Sequence, residues 1–141
     1  MSAVESLIRL HRWQLDERRR QVADLDTLAA KLRQEGTRLV AEQKTEQSIA
    51  ADSTEAATAY GSYARRLVER RQKLEQSLAS VEQQIVVARA ALADAYQEVK
   101  RYEIAAANRV QQVRKRVARQ QQLALDEIGI ETFRRRGRNT P

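Results

Sequence analysis

The chain has no cysteine and only one proline, which is the last of its 141 residues. Without cysteine there is neither a disulfide nor thiolate chemistry, and most zinc sites lose their usual ligands. The absence agrees with a reducing compartment. Helix-breaking proline is missing from the whole interior of the chain.

Aromatic residues are also scarce, with one Trp, one Phe and four Tyr. A thick globular core is therefore not expected. Ala, Leu, Gln, Glu and Arg dominate, and 32% of the residues are charged, which is typical of long helices exposed to solvent. This composition predicts an elongated all-α rod.

Long apolar runs are missing as well. No stretch of about 18 apolar residues could form a membrane span. The N-terminal stretch lacks the apolar core and small-residue cleavage site of a secretory signal. We therefore expect a cytoplasmic protein.

Motifs for catalysis or cofactor binding are not found. Gly36, Gly61, Gly129 and Gly137 are isolated, so they form no phosphate-binding loop. His11 is the only histidine, which leaves no metal cluster and no Ser-His-Asp set. We predict no enzyme activity, no cofactor, no metal and no small-molecule substrate.

What the sequence does contain is a heptad rhythm in two blocks, with seam positions alternating three and four residues apart as in left-handed coiled coils. The first block comprises Val4, Ile8, His11, Leu15, Arg18, Val22, Leu25, Ala29, Leu32, Gly36 and Leu39. The second comprises Leu67, Arg71, Leu74, Leu78, Val81, Ile85, Ala88, Leu92, Ala95, Val99, Tyr102 and Ala106. Beyond a stutter, the seam continues at Val110, Val113 and Val117.

Between the two blocks, residues 50–62 lose the large apolar side chains and hold the candidate helix breakers. Asp52 with Glu55 resembles a capping box, whereas Gly61 followed by Ser62 is typical of a helix end and a new N-cap. We place the bend near Gly61. The chain then folds back, so that its two seams cover each other.

The predicted architecture is a single all-α domain, a long antiparallel two-helix coiled-coil hairpin. Its first helix spans about 3–58, its bend about 59–62 and its second helix about 63–134, followed by a disordered basic tail at 135–141. At about 1.5 Å per residue the rod is roughly 80 to 100 Å long, with both termini at one end. The alternative is one continuous helix in a parallel dimer.

The excess positive charge, +7 in total, lies towards both ends of the chain. Residues 1–20 hold five Arg and three acids, and residues 101–141 hold ten basic and four acidic residues. The hairpin brings these segments together, which predicts a docking end for an acidic surface. The alternative is a solvated basic face with a flexible tail.

The single tryptophan, Trp13, falls at the outermost heptad position, where an exposed indole needs a cover. That cover is either an external partner or the apolar side chains near the C terminus, Ile128, Ile130 and Phe133. At the opposite end, Tyr60 and Tyr63 flank the predicted bend. They either close the tip by packing or form a small contact surface.

Three segments resemble the FliJ family, a coiled-coil component of the bacterial flagellar type III export apparatus. They are "LIRLHRWQLDERRRQVADLDTLAAKL", "YGSYARRLVERRQKLEQSLASVEQQI" and "ALDEIGIETFRRR". The resemblance implies an antiparallel two-helix coiled coil, similar to the central stalk of rotary ATPases. It agrees with the rod predicted from the heptads.

The resemblance also implies partners. The end with the termini would bind the hexameric export ATPase ring, and the other half would bind the cytoplasmic part of the membrane export gate. Help to export chaperones and a cytoplasmic location at the inner membrane, at the flagellar base, are implied too. The residues mapped to the ATPase are Arg9, Arg12, Trp13, Arg18, Arg19, Arg114, Arg116 and Arg119. Those mapped to the gate are Tyr60, Tyr63 and Leu67.

Two other functional classes fit the sequence less well. A generic cytoplasmic coiled-coil scaffold would share the composition and the heptads. A basic nucleic-acid-binding coiled coil would use the same arginines on phosphates, but here acidic residues are interleaved with them and no recognisable nucleic-acid-reading module is present.

Overall fold

A computed structural model describes residues 2–138 of the chain. It contains two α-helices, α1 (Ala3–Ala50) and α2 (Thr54–Arg138), and no strand within the described residues. The two helices pack against each other, so the predicted all-α helical hairpin is confirmed. Neither helix has an apolar stretch, among its described residues, that would reach across a membrane.

The bend lies at residues 51–53, closer to the N terminus than the heptads suggested. Ser53 starts α2: its side-chain oxygen accepts a hydrogen bond of 3.0 Å from the Ala56 backbone N–H. This bond satisfies one of the free N–H groups of the first helical turn. The cap therefore lies one residue after the suggested Asp52, and it is a simple cap, because Ala56 has no side chain to complete a capping box.

The predicted bend at 59–62, and with it the helix limits at 58 and 63, is wrong. Gly61 lies inside α2 and does not have a positive φ. A glycine within a helix costs about 1 kcal/mol relative to alanine, and a side-chain N-cap contributes about the same amount. The serine cap therefore decides where the chain turns, and the helix continues through the glycine.

The predicted seams form the interface between the helices. The buried side chains are all seam positions: Leu15, Ala29, Leu39, Leu67, Val81, Ile85 and Val99. Two polar seam positions, Arg18 and Arg71, are exposed instead. His11 stays in the seam by stacking on Tyr102, with ring centroids 4.5 Å apart.

Ion pairs across the seam fix its antiparallel register. Arg12 pairs with Glu103 at 3.0 Å, Asp26 with Arg89 at 3.4 Å, and Arg33 with Glu82 at 3.2 Å. The residue numbers add up to 115 in these three pairs and to 105 in a fourth, Arg70 with Glu35 at 3.7 Å, because long side chains reach along the rod in both directions. The close contact of Gly36 with Leu74 lies midway and gives the register of the backbones. Such exposed pairs contribute at most about 1 kcal/mol each, so their role is to select the register.

The two helices differ greatly in length, with 48 residues in α1 and 85 in α2. The seam contacts place Ser2 alongside Asn108, so the rest of α2 continues without a partner helix. Every residue from 107 to 138 is exposed. We call residues 107–138 the arm; its 32 residues span about 48 Å at 1.5 Å per residue.

Two further predictions are wrong because of the arm. The termini do not lie together, because α2 extends roughly 40 Å past the N terminus. The predicted disordered tail at 135–141 is helical up to Arg138. Residues 139–141 lie outside the described residues.

Candidate protein-binding surfaces

The residues predicted to face an ATPase fall into two sets, which we call the base set and the arm set. The base set lies on the first turns of α1 and comprises Arg9, Arg12, Trp13, Arg18 and Arg19. The arm set lies on α2 and comprises Arg114, Arg116 and Arg119. The two sets are spread over about 42 Å of the rod, because Arg19 lies beside residue 91 of α2.

Some of the base arginines already have partners within the chain. Arg12 donates to Glu103 through Nε and Nη2, at 3.3 and 3.0 Å. This hydrogen bonding, with the nearby Lys100 ammonium, lowers the pKa of the Glu103 carboxyl below its usual value. Arg18 binds Gln21 and Arg19 binds Asp16. Arg12 thus holds the base of the hairpin together.

Trp13 is 60% exposed. This exposure decides between the two ways in which its ring could be covered, by the apolar side chains near the C terminus or by an external partner. Ile128, Ile130 and Phe133 do not fold over it, because α2 continues away from the hairpin as a helix and leaves all three exposed. Trp13 instead forms one wall of an open groove of about 510 Å³ between the helices. The groove is also lined by Gln14, Glu17, Arg18, Gln21, Ala91, Asp94, Ala95 and Glu98.

The arm set differs from the base set in its surroundings. Arg114, Arg116 and Arg119 are exposed, and within residues 2–138 none of them pairs with a carboxylate. The whole arm has nine basic and three acidic residues. The guanidinium groups of Arg114, Arg116 and Arg119 are therefore available to an acidic surface.

The arm also exposes apolar side chains that the sequence analysis treated as continued seam or as a cover for Trp13. They are Val110, Val113, Val117, Leu123, Leu125, Ile128, Ile130 and Phe133. The sequence did indicate that these side chains lack a cover, since Val110, Val113 and Val117 had no counterpart in the first block of heptads. The misplaced bend concealed this indication.

At the other end, Tyr60 and Tyr63 lie two to three turns into α2, with ring centroids 6.1 Å apart. Both are half-buried. The Tyr63 hydroxyl is enclosed and has no hydrogen-bond partner in the described part of the chain. Its enclosure, and then the nearby Glu42 carboxylate, raise the pKa of the phenol.

Leu67 does not belong to that surface. Only 2% of it is exposed, because it lies in the seam against α1. A partner could not contact it without opening the hairpin, so its assignment to the gate contact is wrong. Exposed apolar residues towards this end are Val40, Ile49 and Val68, at 38%, 51% and 53%, and none of them was singled out from the sequence.

Within residues 2–138, no group of three or more His, Cys, Asp or Glu side chains is arranged to hold a metal ion. What the surfaces offer is guanidinium groups, an indole and two phenols on a rigid rod. These are side chains that protein-binding surfaces use.

Comparison with known proteins gives one match. The family model described as flagellar FliJ protein matches residues 1–138. No curated protein and no solved structure matches the chain. The match covers the hairpin and the arm together, so both are parts of one family architecture.

Proposed function

This chain belongs to the FliJ family of flagellar export proteins, and from that membership we propose that it is a non-catalytic stalk. In this proposal the rod binds the hexameric export ATPase through its arm and base, and links the ATPase to the cytoplasmic part of the membrane export gate. It also assists the delivery of export chaperones and their substrates. It works in the cytoplasm, held at the inner membrane through its partners.

The observation that supports the proposal best is the arm. A single α-helix is about 10 to 12 Å across with its side chains, so it can enter an opening too narrow for the paired helices. Its nine basic residues against three acidic ones favour an acidic lining. The arm set supplies guanidinium groups that have no competing partner within residues 2–138.

The base set then meets the rim of the same partner. Trp13 offers a large exposed indole, and such residues contribute strongly to protein interfaces. Arg9 and Arg18 lie on the turns around it. Arg12 acts indirectly, since its bond to Glu103 keeps α1 in register beside α2.

The gate contact is proposed for Tyr60 and Tyr63, supported from within by the buried Leu67. Along α2, Tyr60 and Arg114 are about 80 Å apart at 1.5 Å per residue. Two partners can therefore bind at once without touching each other. This separation is what a linking role requires.

Charge reversal tests the ATPase contact. The triple variant Arg114→Glu, Arg116→Glu and Arg119→Glu should bind the flagellar export ATPase at least about tenfold more weakly, because attraction becomes repulsion. The matched control is Lys31→Glu, Lys44→Glu and Lys73→Glu, which changes the net charge equally at exposed positions of the hairpin. Equal loss in both variants, with helicity retained, would refute a specific role for the arm.

Removal of the two rings tests the gate contact. Tyr60→Ala with Tyr63→Ala should weaken binding to the cytoplasmic part of the export gate and leave ATPase binding unchanged. Tyr96→Ala is the control, because Tyr96 is a 49% exposed tyrosine in the middle of the rod. A parallel fall in thermal stability and in both affinities would show that the two rings only close the hairpin.

A further inference from the structure

The arm carries an apolar stripe that no described residue covers. The stripe consists of Val110, Val113, Val117, Ala124 and Ile128, which fall on one face at 3.6 residues per turn. The valines are 45% to 50% exposed and Ile128 is 62% exposed. One turn earlier, Ala106 is half-buried against α1, so the stripe prolongs the hairpin seam beyond the end of α1.

The charges along one flank of the stripe change sign halfway. Within positions 113–128, helical geometry places Arg116 on this flank in the first half and Glu127 on the same flank in the second half. Beyond the stripe the flank becomes basic again at Arg134. A parallel neighbour in register would set each flank against the opposite flank of its partner, so that Arg116 would lie near Gln121 and gain no acidic partner. An antiparallel neighbour sets Arg116 beside Glu127, because equivalent flanks face each other in antiparallel coiled coils.

We infer that this stripe binds a second copy of the chain, arm to arm and antiparallel. In this pairing Val113 lies opposite Ile128 of the second copy, and Val117 lies opposite its Ala124. The twofold axis passes between Gln120 and Gln121. The interface is isologous, so the ion pair between Arg116 and Glu127 forms twice.

The open length of the seam fits this pairing. The seam contacts place the N terminus of α1 alongside Asn108, so positions 113–128 are open to a second helix on both copies. Their 16 residues give about 24 Å of shared seam. The stripe is short and its side chains are small, so the pair is weak and reversible.

Self-pairing covers part of the surface that we propose for the ATPase, so the two states exclude each other. A paired arm could not bind the ATPase until the ATPase displaces the second copy. The self-association itself is measured on the isolated chain. Its failure would therefore leave the proposed ATPase contact untouched.

Engineered cysteines test the orientation without interference, because the natural chain has none. Gln121→Cys lies next to the twofold axis and should give a disulfide-linked dimer on mild oxidation. Val110→Cys should not, because the two copies of residue 110 would be about 30 Å apart. Cross-linking at Val110, or at neither position, would overturn the antiparallel pairing.

A charge swap tests the contacts. Arg116→Glu and Glu127→Arg should each raise the concentration needed for self-association by about tenfold, and the double variant should restore the wild-type value. Lys115→Glu is the control, because it makes the same charge change on the opposite face of the arm. Sedimentation velocity over a concentration series provides the measurement, with circular dichroism to confirm that each variant is helical.

Two results would overturn the inference. The first is a wild-type chain that stays monomeric at about 100 µM and low salt. The stripe would then belong to the ATPase or to another protein. The second is a double variant that remains as weakly associated as the single ones, since the Arg116 and Glu127 side chains would then not meet.

Discussion

The hairpin, residues 2–106, and the arm, residues 107–138, are built from the same kinds of residue but behave differently. All the buried side chains lie in the hairpin, and every residue of the arm is exposed. The hairpin has 17 basic and 16 acidic residues, whereas the arm has nine and three. The hairpin is nearly neutral and buries its own seam, whereas the arm is basic and has no partner helix within residues 2–138.

The difference shows that a heptad pattern specifies which face of a helix is apolar, but does not specify which helix will cover that face. Val99 and Val113 are both seam valines of α2, yet Val99 is 4% exposed and Val113 is 49% exposed. What separates them is the length of α1, because Val113 lies beyond the N terminus of that helix. A seam without a partner inside the molecule is available for one outside it.

The largest expected effect comes from deleting residues 107–141. Binding to the export ATPase should fall at least about a hundredfold, because the deletion removes the whole arm set. The helical signal should fall by about a quarter, in line with the 32 arm residues among 133 helical ones. The thermal midpoint of the hairpin should stay nearly constant. A strong fall in that midpoint would mean that the arm packs on the hairpin.

Next come paired substitutions of leucine in the two regions. Leu39→Ala removes a side chain that is 1% exposed and should lower the free energy of unfolding by about 2 to 4 kcal/mol. Leu123→Ala removes one that is 56% exposed and lies off the apolar stripe, so the change should stay within about 0.5 kcal/mol. Urea unfolding followed by circular dichroism gives both values. Similar losses of unfolding free energy at the two sites would contradict the division of the chain into a packed hairpin and an exposed arm.

Glycine substitutions test the bend and the division together. Gly61→Ala should stabilise the hairpin by up to about 1 kcal/mol, since its φ is not positive and an added Cβ has no atom within 4 Å. Gly129→Ala, with equally open surroundings, should raise the helicity of the arm without changing the unfolding of the hairpin.

Ser53→Ala completes this set, because it removes the cap of α2 and should destabilise the hairpin by about 1 kcal/mol. Thermal unfolding of the three variants measures these effects. Destabilisation by Gly61→Ala with no effect of Ser53→Ala would return the bend to Gly61.

The smallest effect concerns acid stability. The pKa of the Glu103 carboxyl is lower in the folded hairpin, mainly because Arg12 donates hydrogen bonds to it. This pairing stabilises the fold above the ordinary glutamate pKa of 4.5, and its contribution is lost as the pH falls through the lowered value. With Glu103→Gln, the free energy of unfolding should therefore fall less steeply as the pH is lowered. Glu131→Gln in the arm should leave this pH dependence unchanged, because Glu131 pairs within its own helix, with Arg135.

The sequence allowed the seams and the helical class to be predicted, because a repeat of three and four specifies which face of a helix is buried. The bend could not be located from the same pattern. The Ala-rich segment around residues 50–62 is helix-compatible throughout, and the choice between Ser53 and Gly61 depends on differences of about 1 kcal/mol.

That small energetic choice had a large structural consequence. Moving the bend back by eight residues shortens one helix and lengthens the other, so the uncovered length grows by about sixteen residues, or roughly 24 Å. The arm therefore could not be predicted, although its charges and its valines were recognised. For the binding surfaces, exposure separated Trp13 and Tyr60 from Leu67, and the heptad position of Leu67 already indicated burial.

The central claim is a self-contained hairpin with a projecting helical arm, and one distance tests it most directly. Ser6→Cys and Thr132→Cys, in a chain without other cysteines, allow two spin labels to be attached. The doubly labelled chain is diluted with excess unlabelled chain, so that only distances within one molecule are measured. Because the seam contacts place Ser6 beside residue 104, we predict a separation of about 42 Å. A distance below about 20 Å would mean that the arm folds back over the hairpin, and would contradict the account.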